Sequence, residues 1–184
     1  MLTKKEIAFI ILTKKQRIYW LSNQEYISLQ KLFLNKEMKE TIEMLANRIE
    51  NIVINIYKHL HQHPELSFAE KETAAFIEEI LQGENIPYRK NIGGYGILAR
   101  IEGKNPTSRI IGLRADMDAL LIEEGNNVPF RSVNPHVMHA CGHDAHTACL
   151  LGAAMILNRI REIIEGTVLL IFQPGEEKAP GGAN

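Results

Sequence analysis

At three junctions in this chain, regular apolar segments give way to loops crowded with side chains that bind metals or move protons. The strand-like run Ile110-Ile111-Gly112-Leu113 leads into Arg114-Ala115-Asp116-Met117-Asp118-Ala119, and the run Val168 to Phe172 leads into Gln173-Pro174-Gly175-Glu176-Glu177. Between them, His139-Ala140-Cys141-Gly142-His143-Asp144-Ala145-His146 sets three histidines, a cysteine and an aspartate close together. Parallel strands bring their carboxyl ends to one edge of a sheet, where open α/β folds keep their binding crevices. The pattern therefore favours a layered α/β fold that carries distant junctions to a common edge.

The rest of the chain fits that expectation. Ile42, Leu45, Ile49, Ile52, Ile56 and Leu60 recur at three- and four-residue spacing, predicting an amphipathic helix that opens near Lys36–Glu40. Pro64 ends it, because proline lacks an amide hydrogen and disfavours helical geometry in the residue before it. A second helix is expected over about 69–82, with Ser67 as N-cap, Glu70 in capping-box position and Gly83 as the stop. Strands are expected at 86–89, 96–101, 109–114 and 167–172, separated by turn residues such as Gly93-Gly94. A third helix, about 145–159, is rich in small residues (Ala148, Gly152, Ala153, Ala154) and suited to close packing on a sheet. The alternation gives an α/β sandwich.

Each cluster also has a plain structural reading. Asp116 and Asp118 would point to opposite faces if their strand continued, and would both turn inward, or simply face solvent, in a loop. Cys141 and His143 offer the sulfur and nitrogen donors typical of zinc, and Gly142 between them lets the backbone fold both around one ion. His146, one turn further on, could join them or act behind them. Against this, Cys141 could be a small buried hydrophobe and the histidines could cap a helix. Adjacent Glu176 and Glu177 suit a division of labour, one binding metal and one shuttling protons, but such a pair alone is usually surface charge. His59, His61 and His63 alternate like ligands, yet on a helix they spread over different faces and read as helix-end packing. Cys149 lies in the apolar part of the third helix and reads as core.

Composition narrows the partners. Hydrophobic residues make up 45%, charged residues 23%, and the formal net charge is −1. No global field would draw in nucleic acid or an anionic membrane. The apolar run Ile7 to Leu12 is far short of the roughly 20 residues that span a bilayer. It also lacks the cleavage site of a secretory signal. With two cysteines, too few for a disulfide framework, the expected location is the cytoplasm.

Four ordered motifs carry a resemblance: Leu60-His61-Gln62-His63-Pro64-Glu65-Leu66-Ser67, Gly112 to Leu120, Met138 to Thr147, and Ile171 to Glu177. Together they resemble the aminoacylase, hippurate hydrolase and auxin-conjugate hydrolase branch of the dinuclear metallopeptidases, which includes N-acetyldiaminopimelate deacetylases. The resemblance implies a three-layer, zinc-peptidase-like catalytic domain holding two divalent ions, zinc or manganese. A smaller lid and dimerisation domain interrupts it, and the complete enzyme is a homodimer acting on small N-acyl amino acids. Carried onto the matching motifs, Cys141, His143 and Glu177 become metal ligands, Glu176 the general base, and Asp116 and Asp118 supporting groups behind the ligands, where His146 is also placed. Two further ligand histidines of the family lie in segments downstream of those present. Leu121 stands where the family has proline. The expectation is a partial sandwich over 38–184, without the lid domain and inactive alone, preceded by an extension over 1–37. The competing expectation is a non-catalytic metal-binding or interaction domain that reuses the fold.

Overall fold

The computed structural model describes residues 36–183, so the expected extension over 1–37 lies almost wholly outside the described residues. Helix α1 spans Lys36–Gln62 and stops just ahead of Pro64, as proline chemistry requires. The chain divides into two units after Asn51, inside α1. The second unit, from Ile52 onward, carries everything that follows. Within it Val53, Ile56 and Leu60 are buried while Ile52 is 46% exposed. The buried stripe thus runs through Val53 rather than Ile52, the position that the 3.6-residue repeat favours over a strict three-residue step.

Helix α2 spans Lys71–Gly83 and α3 spans His143–Arg159. The strands are β1 (Tyr88–Ile92), β2 (Gly96–Glu102), β3 (Ile110–Asp116) and β4 (Thr167–Gln173), all within two or three residues of their expected positions. They form one sheet in the order β1-β2-β4-β3. β1 and β2 make an antiparallel hairpin around Gly93 and Gly94, both of which have positive φ. β2 also runs antiparallel to β4, and only β3 and β4 are parallel. β3, α3 and β4 are therefore a βαβ crossover, with the ends of β3 and β4 side by side: Asp116 stands opposite Gln173.

Alternation sorts the sheet's faces. Ile97, Ala99, Ile101, Val168, Leu170 and Phe172 are buried on one face, the side that α2 and α3 cover with Ile77, Leu81, Ala148 and Leu151. On the other face Ile110 is 65% and Ile171 36% exposed. The described part of the expected sandwich is thus the sheet and one helical layer. No helix among the described residues is long and apolar enough to cross a membrane.

The start of α2 departs from the expected capping box. Its N-cap is Glu70, which forms no side-chain cap. Instead Glu65 reaches forward and accepts from the amides of Glu72 (3.1 Å) and Thr73 (2.8 Å) and from the Thr73 hydroxyl (2.8 Å). Ser67 and Glu70 are thereby released for contacts elsewhere.

Candidate metal centre

The βαβ crossover brings the three clusters together. β3 delivers Asp116 at its last residue and Asp118 in the loop beyond, and both carboxylates are buried. The strand does not continue, so the two are free to turn the same way. Gly142, at φ +86, bends the chain between Cys141 and the first residue of α3, His143. β4 ends at Gln173 and releases the turn that holds Glu176 and Glu177.

His143 is the centre of the arrangement. Its Nδ1 lies 2.8 Å from the carbonyl oxygen of Asp118 and 3.2 Å from Asp118 Oδ1. A carbonyl can only accept, so Nδ1 carries a proton, and in the neutral ring Nε2 keeps its lone pair. That nitrogen lies 3.6 Å from Glu177 Oε1 and 3.7 Å from Asp116 Oδ1. The donor atoms of Cys141, His143 and Glu177 all lie within 4.8 Å of one another. Donors around a tetrahedral zinc sit roughly 3.3–3.8 Å apart, so the three are within reach of one ion. A thiol, an imidazole with its other nitrogen engaged and a carboxylate form a donor set that suits zinc or a similar divalent ion. The residues present therefore fit the metal that the motifs imply.

Asp116, His143 and His146 form a second group within 4.8 Å. Here the carboxylate is already engaged. His146 Nδ1 lies 2.6 Å from Asp116 Oδ1, and the Arg114 guanidinium 3.4 Å from Oδ2. Arg114 in turn donates through Nε to Gln173 Oε1 at 2.6 Å, tying the ends of β3 and β4 together. Asp118 is held more fully. Its Oδ2 accepts from the Ser67 hydroxyl at 2.6 Å and from the Glu177 amide at 2.9 Å.

The electrostatics follow these contacts. Burial pushes Asp118 upward, but hydrogen bonds from His143, Ser67 and the turn amides hold it well below the usual carboxylate range. Burial likewise raises Asp116, and His146, His143 and Arg114 outweigh it and hold the group low. Burial lowers His143, and the Asp118 bond with the charges of Asp116 and Asp118 reverses the effect and raises it. Cys141 reaches the surface, yet desolvation around its sulfur and the neighbouring Glu177 carboxylate push the thiol up to about 11. Glu176 is exposed, and no partner holds its carboxylate among the described residues.

The structure also shows an ionic chain that sequence reading passed over as helix-end packing. His61 lies between Asp144 (Nδ1 to Oδ2, 2.6 Å) and Glu124 (Nε2 to Oε1, 3.0 Å), and all three are buried. The bond to Asp144 is the main cause that raises His61 to about 9. His59 and His63 do behave as packing residues: His59 stacks on Phe76 at 4.0 Å, and His63 Nδ1–H donates to the His59 carbonyl. His139 is buried with both ring nitrogens unpartnered among the described residues, and burial lowers it to about 4. No local signal separates His61 from its neighbours, because its partners lie 63 and 83 positions away.

Residues 112–184 match Peptidase family M20/M25/M40. The chain is 47% identical over 145 residues to an N-acyl-L-amino acid amidohydrolase of Geobacillus stearothermophilus, covering 79% of the chain and 39% of that relative. It is 46% identical over 143 residues to an N-acetyl-L-cysteine deacetylase of Bacillus subtilis (strain 168), covering 78% of the chain and 34% of the relative. A crystal structure of a dinuclear metal-binding peptidase of the M20 family from Bacillus subtilis superposes with a TM-score of 0.69 at 44% identity. The match covers 73% of this chain and 38% of that one. The chain thus spans well under half the length of these relatives. Over the stretch it shares with them, the chain is similar to Peptidase family M20/M25/M40 and to a dinuclear metal-binding peptidase of the M20 family.

Proposed function

We propose that the chain supplies the metal-holding part of an amidohydrolase for N-acyl amino acids, of the aminoacylase, hippurate hydrolase or N-acetyldiaminopimelate deacetylase type. In this reading residues 38–184 are part of the catalytic domain and 1–37 an extension to it. Cys141, His143 and Glu177 hold one of two divalent ions, zinc or manganese, and the complete enzyme is a homodimer. The observation that carries the reading is the locked imidazole of His143. Asp118 takes its Nδ1–H and leaves Nε2 beside the thiol and carboxylate of Cys141 and Glu177. The names of the relatives supply the substrate class.

When bound, the ion polarises the scissile carbonyl and makes a nearby water more acidic. The chain's own residues do the rest. Glu177 commits its carboxylate to the site, and adjacency keeps the free carboxylate of Glu176 within reach of the same water. Glu176 accepts a proton from that water as its oxygen attacks the amide carbon. As the C–N bond breaks, Glu176 returns the proton to the departing amine, leaving a carboxylic acid and a free amino acid. Asp118 keeps His143 in one tautomer throughout, while His146 and Arg114 hold Asp116 in place behind it.

The test joins this chain to the remainder of a family catalytic domain and assays N-acetyl amino acids. Glu176→Gln keeps the size of the side chain but cannot take the proton, so turnover should fall by about 10²–10⁴-fold with metal content unchanged. Glu177→Gln should instead lower metal content. Unchanged turnover and metal content in both variants would sink the assignment.

A further inference from the structure

We infer that Glu70 is a positioning residue: its buried carboxyl holds the turn that carries Glu176 and Glu177. The inference rests on the proposed function only for what that turn carries.

Glu70 is fully buried, and its Oε1 accepts the Gly175 amide at 2.7 Å across 105 residues of sequence. Gly175 itself is clasped from the other side. At φ +60 it lies so close to the Phe68 ring that a Cβ would come within 2.5 Å of Cζ. Phe68 takes φ +64, an unusual conformation for a bulky residue, which the surrounding contacts must impose. The bend at Phe68 lets the short segment before α2 do two things at once. Ser67 donates to Asp118 Oδ2, the same oxygen that accepts the Glu177 amide. Glu70 accepts from Gly175. The turn is thus fastened by two buried carboxylates, Glu70 at its first amide and Asp118 at its third.

Helix capping does not account for Glu70. Glu65 performs that duty for α2, and Glu70 makes no cap. Nor does the carboxyl have a full set of partners, since Oε2 is buried without one among the described residues. Burying a polar group costs free energy that an apolar side chain would avoid. What the carboxyl does provide is an acceptor for a buried amide that no strand or helix satisfies. Glutamine keeps the acceptor oxygen that the Gly175 amide uses.

The experiment compares Glu70→Gln, Glu70→Ala and Glu70→Asp in the full chain. Glutamine keeps the acceptor in place, alanine removes it, and aspartate withdraws it by one methylene. Amide hydrogen exchange at Gly175 reads the turn without any metal. Exchange should quicken by at least tenfold in Glu70→Ala and Glu70→Asp and stay near wild type in Glu70→Gln. Zinc affinity, measured by competition with a chromophoric chelator, should fall by about 10–100-fold in the same two variants, the usual cost of losing a group that orients a ligand. It should be retained in Glu70→Gln. If Glu70→Ala gives no cooperative melt, the contrast between Gln and Asp carries the test alone. Wild-type exchange at Gly175 in Glu70→Asp, or equal losses in Asp and Gln, would overturn the inference. Glu177→Gln is measured alongside. Zinc affinity that ignores Glu177→Gln tells against the metal-site reading, whereas affinity lost in Glu177→Gln but kept in Glu70→Asp tells against Glu70 alone.

Discussion

His61 shows how much a single residue's chemistry depends on what folding places beside it. Free in solution its imidazole is a weak base. Here Asp144 and Glu124 flank it, with the Tyr57 and Phe130 rings and the neutral His139 nearby, and its pKa rises from 6.5 to about 9. That difference corresponds to roughly 3 kcal/mol at about 1.4 kcal/mol per pKa unit. Because the folded value lies above the unfolded one, the stabilisation is fully present below pH 6.5 and is lost as the pH rises through about 9. The melting temperature of His61→Gln should therefore fall furthest below wild type near pH 6, and the gap should narrow towards about pH 10. A gap that stays constant over that range would mean that His61 is not charged in the folded protein.

Among the elements, α2 owes its start to a residue outside it. Glu65 satisfies two amides of the first turn and the Thr73 hydroxyl, placing negative charge at the positive end of the helix. Losing an N-terminal cap costs about 0.5–2 kcal/mol. Glu65→Ala should lower the melting temperature by a few degrees, since about 1 kcal/mol corresponds to roughly 2–4 °C in a chain of this size. Ser67→Ala, which the capping-box pattern would make the more damaging change at this helix start, should leave α2 intact. It removes instead a hydrogen bond to Asp118. Circular dichroism and thermal unfolding of the two variants separate the outcomes, and a larger loss of helix in Ser67→Ala would contradict the observed cap.

For the molecule as a whole, the crossover through α3 decides how many ions the described residues can hold. Both groups of three donors use His143. Its Nδ1 is committed to Asp118, so a single nitrogen serves either group but not both. Asp116 is further occupied by His146 and Arg114. One divalent ion per chain is the expected stoichiometry, held by Cys141, His143 and Glu177, the three protein ligands that a zinc site uses beside a water or a fourth ligand. Equilibrium dialysis with elemental analysis measures it. Two tightly held ions per chain would show that Asp116 and His146 form an independent site.

The sequence by itself determined the elements and the chemistry on offer. Periodicity and turn residues marked the three helices and four strands of the described residues, because apolar spacing and proline or glycine act locally. Donor types at Cys141, His143, Glu176 and Glu177 marked a candidate metal site, because thiol, imidazole and carboxylate have few other reasons to cluster. Only the tertiary structure decided what those groups do to one another. It turned Asp116 and Asp118 inward together, set the tautomer of His143, gave the capping of α2 to Glu65 and brought Glu70 to Gly175. It also made a buried ion of His61. Apart from the Glu65 cap, which reaches 7 and 8 positions along the chain, these are contacts between residues tens of positions apart, and their energies depend on distance and burial, which chain spacing does not encode.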